Sequence, residues 1–151
     1  MPSIVSTRFG PLEYDEQKVV EFSDGILGFE QLRKYVLLDI KGAQFPFRWL
    51  QSVEDPALAF LLLDPTYVHP GYCPPVFAKD LAQLGLKEIG SAILACIVTV
   101  PSDPTLATAN FQAPLVINVE KRIGKQVVTG HPSYKTRQAI FDGNRLHRKT
   151  G

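Results

Sequence analysis

The sequence predicts an all-β fold: a single small antiparallel β-barrel-like or sandwich domain with one or two short helices. Three observations predict it. Short apolar runs recur at close intervals, and most are closed by glycine, proline or an Asp-Pro pair. Helical spacing is confined to brief stretches, such as Lys79 to Leu84 before Gly85. The 151 residues, 45% hydrophobic and 21% charged, suit one domain with a packed core and exclude a largely disordered chain.

Taken in order, Ile4 to Phe9 and Leu12 to Tyr14 flank Gly10-Pro11, which predicts a hairpin turning there. Lys18 to Phe22 reads as a short strand. Phe29, Leu32 and Tyr35 or Val36 stand three and four apart, which predicts one or two helical turns. Val36 to Ile40 is a strand ended by Lys41-Gly42. The central stretch, Pro46 to Pro65, reads as strand, turn, strand. Phe45, Phe47 and Trp49 alternate with other residues, Ser52 to Pro56 collects turn formers, and Leu58 to Leu63 is a buried strand closed by Asp64-Pro65. Trp49, the only tryptophan, is expected to be a largely buried core ring. Tyr67 to Pro75 is a loop rich in proline and aromatic residues. Ala92 to Val100 reads as a buried strand stopped by Pro101 to Pro104. Thr105 to Phe111 and Leu115 to Val119 are strands, with Pro114 marking an edge or bulge. A hairpin through Gly124 leads to Gln126-Val-Val. Residues 1–141 are expected to form the domain, and 142–151, with few apolar groups, a flexible basic tail.

Charge is unevenly spread. Residues 1–120 hold fourteen acidic and eight basic side chains, a net of −6, whereas residues 121–151 hold one and eight, a net of +7. An acidic body suits a basic partner. The start Met1-Pro-Ser-Ile lacks the basic and apolar regions of a signal peptide, and the longest apolar run is too short to span a membrane. A cytoplasmic protein is expected, with Cys73 and Cys96 reduced.

The search for chemistry finds neither a phosphate-binding glycine loop nor a nucleophile elbow. His69, His131 and His147 have no ligand-like spacing to one another or to the cysteines, so neither a metal nor a cofactor is expected. Cys96 reads as a small buried hydrophobe, and Asn110 and Asn118 as partners for backbone groups. Asp55 and Asp64 each precede proline, which makes them turn formers; alternatively their turns share one end of the barrel and meet a partner. Lys121, Arg122, Lys125, Lys135, Arg137, Arg145, Arg148 and Lys149, with Tyr134 as a stacking ring, permit a rival reading as a small-barrel RNA-binding protein. A small-molecule sensor built around Trp49 is a weaker rival. The residues by themselves indicate a non-enzymatic binding domain.

The order and spacing of WLQSVEDPALAF followed by DP, GILGFE before it, APLVIN and GKQVV after it, and Tyr134-Lys-Thr-Arg137 carry more. Together they resemble the bacterial flagellar assembly factor FliW family across nearly the whole chain. The resemblance implies a cytoplasmic protein that binds flagellin and the RNA-binding translational repressor CsrA. Newly made flagellin would draw it away from CsrA, and freed CsrA would then repress flagellin translation. Its antagonism of CsrA would be allosteric, acting away from the RNA site and without catalysis or direct contact with nucleic acid or membrane. The free protein is expected to be a monomer. For flagellin, whose terminal segments are amphipathic helices, the candidate lining is Tyr67, Val68, Tyr72, Val76 and Phe77, in a loop that otherwise folds back over one barrel end. For CsrA, a basic protein, the candidates are Glu54, Asp55 and Asp64.

Overall fold

The computed structural model describes residues 2–39, 46–142 and 145–146. The chain opens with a separate hairpin, β1 (Ser3–Ser6) and β2 (Gly10–Glu13). Its turn is Thr7 to Phe9, not Gly10-Pro11, because the Ser6 hydroxyl accepts the amides of Arg8 and Phe9 and bends the chain earlier.

Seven strands then close a barrel. They are β3 (Val20–Phe22), β4 (Lys34–Asp39), β5 (Phe47–Ser52), β6 (Ala59–Leu63), β7 (Ile93–Thr99), β9 (Leu115–Asn118) and β10 (Ile123–Gln126). The order around the barrel is β3-β4-β5-β6-β7-β9-β10, and β10 returns to β3. Every pairing is antiparallel except that closing seam, where Ile123 and Gly124 lie parallel to Glu21 and Phe22. The Phe22 ring lies against Gly124, where an added Cβ would come within 2.6 Å of it, so only glycine fits the seam. The two-residue β8 (Thr108–Ala109) pairs with β7, and β11 (Gln138–Ala139) pairs with β8, extending the sheet outward. Of the strand expected over Thr105 to Phe111 only β8 forms, since Pro104 to Leu106 is a turn capped by Asp103. At the end, β12 (Phe141–Asp142) pairs with β13 (Arg145–Leu146); the rest of the expected tail, 143–144 and 147–151, lies outside the described residues, as do Phe45 and Lys41-Gly42.

Alternation along the strands divides the apolar side chains between the inside and the outside of the wall. Tyr35, Leu50, Leu62, Ala95, Leu115 and Ile117 fill the interior with Phe22 and Ile26. Leu63, Cys96 and Val98 face outward into a second core, closed by Val68, Tyr72, Phe111 and Ile140. Val116 and Val127 form a third with Leu84, at the end of α1 (Ala78–Gln83). Burying each such side chain stabilises the fold by about 1.5–3 kcal/mol. The helix ends as the sequence predicts: Gly85, at φ +68°, lets the Leu86 and Gly85 amides reach the Leu81 and Ala82 carbonyls.

Two expectations fail here. Trp49 is not a core ring. Leu50 takes the inward position of β5, which turns Trp49 to the outer face, where it is half-buried. Arg8 lies 4.5 Å over its ring and Phe9 meets it edge-on at 5.5 Å. Its neighbour on that face, Gln51, is fully buried and accepts a 2.8 Å hydrogen bond from Ser6, which docks the hairpin on the barrel. Nor does Phe29 to Val36 begin as a helix. Gly25 and Gly28 adopt φ +70° and +88°, and the chain makes tight turns that lead straight into β4.

Candidate functional site

The turn between β5 and β6 carries the first candidates. The Ser52 hydroxyl accepts the amides of Glu54 and Asp55, and an Asp55 carboxylate oxygen accepts the Ala57 amide at 2.9 Å. Glu54 reaches across to accept the amides of Arg33 and Lys34 at 2.7 and 3.1 Å, tying this turn to the start of β4. Burial, with the charges of Glu54 and Asp55 behind it, pushes the Tyr35 phenol up to about 12. Glu54 is exposed and Asp55 half-buried, so both still present charge to solvent.

Asp64 does not join them. It follows the far end of β6, five residues of strand or about 16 Å from the Asp55 turn. There one of its oxygens accepts both the amide and the hydroxyl of Thr66, capping a short turn that Pro65 begins. Asp55 and Asp64 therefore mark opposite ends of one hairpin rather than one end of the barrel.

The aromatic loop after Asp64 folds inward. Tyr72 is 6% exposed, and its hydroxyl donates to the Phe111 carbonyl at 2.7 Å. Its ring meets Phe111 and Tyr134 edge-on, at 5.1 and 4.7 Å. The Tyr134 hydroxyl accepts the Cys73 amide, and His69 packs its edge on both tyrosines. Val68 is buried in the same cluster. Burial holds both the Tyr72 phenol and the Cys96 thiol neutral, the thiol pushed up to about 12. The five residues thus do not line one open groove. Val68 and Tyr72 are interior, Tyr67 and Val76 half-buried, and Phe77 alone stands out, 58% exposed.

The basic end is partly spent on local structure. Lys125 bridges Asp80, itself 5% exposed, and Asp24, at 3.2 and 3.3 Å. Burial opposes the Lys125 charge, but the two carboxylates outweigh it and raise its pKa. The Lys121 stem lies over Gly85. Asn118 donates to the Leu84 carbonyl and accepts the Lys121 amide, and Asn110 accepts the amides of Gln112 and Ala113, as expected for backbone partners. Among the described residues no three metal-ligating side chains gather, and no helix is long and apolar enough to cross a membrane.

The family model described as FliW protein matches residues 3–140. The chain belongs to the FliW family. A flagellar assembly factor FliW from Bdellovibrio bacteriovorus is 43% identical over 139 residues, covering 91% of this chain and 79% of the relative. One from Natranaerobius thermophilus is 41% identical, covering 92% of each. The crystal structure of a flagellar assembly factor FliW superposes with a TM-score of 0.85 at 38% identity, covering 93% of this chain and 98% of the other. The sequence resemblance and the all-β expectation are both borne out.

Within this FliW-family barrel the resembling stretches take different places. WLQSVEDPALAF supplies most of β5, the acidic turn and the start of β6, and APLVIN with GKQVV supplies the strands that close the barrel. GILGFE is different: it is a surface turn with two apolar side chains facing solvent, Leu27 at 60% and Phe29 at 39% exposure. The helical reading placed Phe29 on a helix and gave Leu27 no role. The signal that finds them is the pair of glycines three apart, since two left-handed positions make a tight turn that buries Ile26 and leaves Leu27 and Phe29 outside.

Proposed function

We propose that this flagellar assembly factor works by binding two proteins in the cytoplasm, flagellin and CsrA, and that it antagonises CsrA allosterically. Flagellin made in excess of export would occupy it, and the CsrA so released would repress further flagellin translation. Family membership carries this reading. A physical observation supports a macromolecular partner over a small ligand: the barrel interior is filled by its own side chains, which leaves the outer surface for recognition.

The acidic turn, Glu54 and Asp55, is the proposed CsrA contact, where charge would steer a basic partner. Asp64, at the other end of the hairpin, would be a separate contact. Phe77, with the half-buried Val76 next to it and Tyr67 at the start of the same loop, is the proposed flagellin contact, while Val68 and Tyr72 hold the loop that presents it. The test titrates the purified protein with flagellin and with CsrA. Glu54→Gln with Asp55→Asn keeps the oxygens that accept backbone amides while removing charge; it is expected to weaken CsrA binding chiefly at low salt. Phe77→Ser is expected to weaken flagellin binding alone. Wild-type protein that binds neither partner would overturn the reading. Equal losses for both partners in both variants would replace two surfaces with one.

A further inference from the structure

The N-terminal hairpin is held to the barrel by little. β1 and β2 form a sheet of their own and share no strand pairing with the wall. None of their side chains enters the three apolar cores. Of the eight strand residues only Ser6 is buried, and it is polar. Among the described residues, the hydrogen bonds and ring contacts that tie the hairpin to the barrel all come from its tip, Ser6 to Phe9. Ser6 donates to Gln51, and the Thr7 amide donates to the Pro56 carbonyl at 2.9 Å. Arg8 and Phe9 cover the Trp49 ring on the outer face of β5. A two-stranded hairpin is marginal in water on its own. A segment with so few buried apolar contacts opens at a lower free energy than a core does.

What the tip touches gives the hairpin a task. Gln51 is fully buried beneath it, and the Gln51 side chain grips the turn between β5 and β6. Its Nε2 donates to the carbonyls of Ser52, Pro56 and Leu58 at 2.9, 3.4 and 3.1 Å. Its Oε1 is held by the Ser6 hydroxyl. The Pro56 carbonyl therefore takes one bond from Gln51 and one from the hairpin itself. Ser52, the next residue, accepts the amides of Glu54 and Asp55. We propose that the hairpin is a strap: it lifts from the barrel as a unit, without global unfolding, and its docking fixes the Ser52 to Leu58 turn through Gln51. Lifting takes the hydroxyl away from Gln51 Oε1 and lets water in beside a side chain that is otherwise dry. The amide is then free to leave the three carbonyls, and the turn loosens with the strap. Whatever holds the turn in its docked shape holds the strap down by the same factor. The device needs no partner in order to operate.

The experiment follows hydrogen exchange of single amides by NMR in the full-length protein, in water and at low denaturant. Thr7 reports the strap, Glu54 and Asp55 the turn, and Leu50 and Leu62, in strands paired on both sides, the barrel. In wild-type protein Thr7, Glu54 and Asp55 are expected to exchange through one shared opening. That opening should be faster than exchange at Leu50 and Leu62 and depend more weakly on denaturant, because it exposes little surface. Ser6→Ala leaves Gln51 Oε1 buried without its donor, and should speed exchange at all three amides by one factor, roughly tenfold. Val5→Thr, at a position 70% exposed, should leave the rates near wild type. The only tryptophan gives a second readout: acrylamide should quench Trp49 more readily in Ser6→Ala than in wild type, well below the unfolding temperature. If Thr7 exchanges at the rate and on the slope of Leu50, the hairpin opens only with the barrel and there is no strap. If Glu54 and Asp55 open on a different slope from Thr7, or ignore Ser6→Ala, the strap does not hold the turn and the inference is overturned. The wild-type slopes need no substitution, so they decide the matter even where Ser6→Ala fails to fold.

Discussion

Two loops of this barrel are rich in apolar residues and behave in opposite ways. The Asp64 to Phe77 loop turns its tyrosine and valine inward and builds a second core against the outside of the wall. The Asp24 to Leu32 loop turns a leucine and a phenylalanine outward. Length and polar tips account for the difference. The first loop is long enough to lie across the sheet, and Tyr72 can be buried because the Phe111 carbonyl takes its hydroxyl. The second is a few residues bent through two left-handed glycines, too tight for every side chain to face inward. Apolar content alone therefore does not say whether a loop closes a core or presents a surface.

Several substitutions would break or sharpen that contrast. Tyr72→Ala should cost about 3–5 kcal/mol in denaturant unfolding, as for other buried aromatics, while Leu27→Ala should stay within about 0.5 kcal/mol. A small cost at Tyr72 would mean that the aromatic loop is an ornament and not a core. Gly25→Ala should destabilise by about 2 kcal/mol or more, since both the left-handed backbone and the Glu30 backbone oppose a side chain. Gly28→Ala, with open space around it, should cost only the backbone term, about 1 kcal/mol; equal costs would remove the argument for a closed turn. Stability should also fall as pH rises from about 9 towards about 12. The folded state keeps the Cys96 thiol and Tyr35 phenol protonated where the unfolded chain releases those protons, so their contribution is complete below that window and lost through it. A denaturation midpoint that held steady over this range would show that burial is not shifting them. Last, a thiol reagent on native protein should label the exposed Cys73 promptly and Cys96 only on unfolding.

Much of the wall was legible. Leu58 to Leu63 and Leu115 to Val119 announce themselves as strands, and Leu84-Gly85 announces a helix end, because each signal is local. Which face of an alternating strand meets the interior is not local. Phe47 and Trp49 looked like the core side of β5, yet Leu50 and the closure of the barrel put them outside. The Asp-Pro turns were legible as turns, and the strand read between them, Leu58 to Leu63, already places them at opposite ends of it, so the idea that they share one barrel end conflicts with that reading. At the candidate surfaces the acidic turn was visible in composition. The exposure of Leu27 was hidden, because Asp24-Gly25 and Gly28 mark a break in the chain without saying which side chain between them turns inward.

The parallel seam has a consequence for how the protein is made. It joins Glu21 and Phe22 to Ile123 and Gly124, about a hundred residues further on. Strands β3 to β6 can pair with their neighbours as they leave the ribosome, but nothing covers the open side of β3 until β10 emerges. The nascent chain therefore carries an unpaired strand edge through most of its synthesis, and closure of that edge is a contact between distant parts of the chain, of the kind that slows folding.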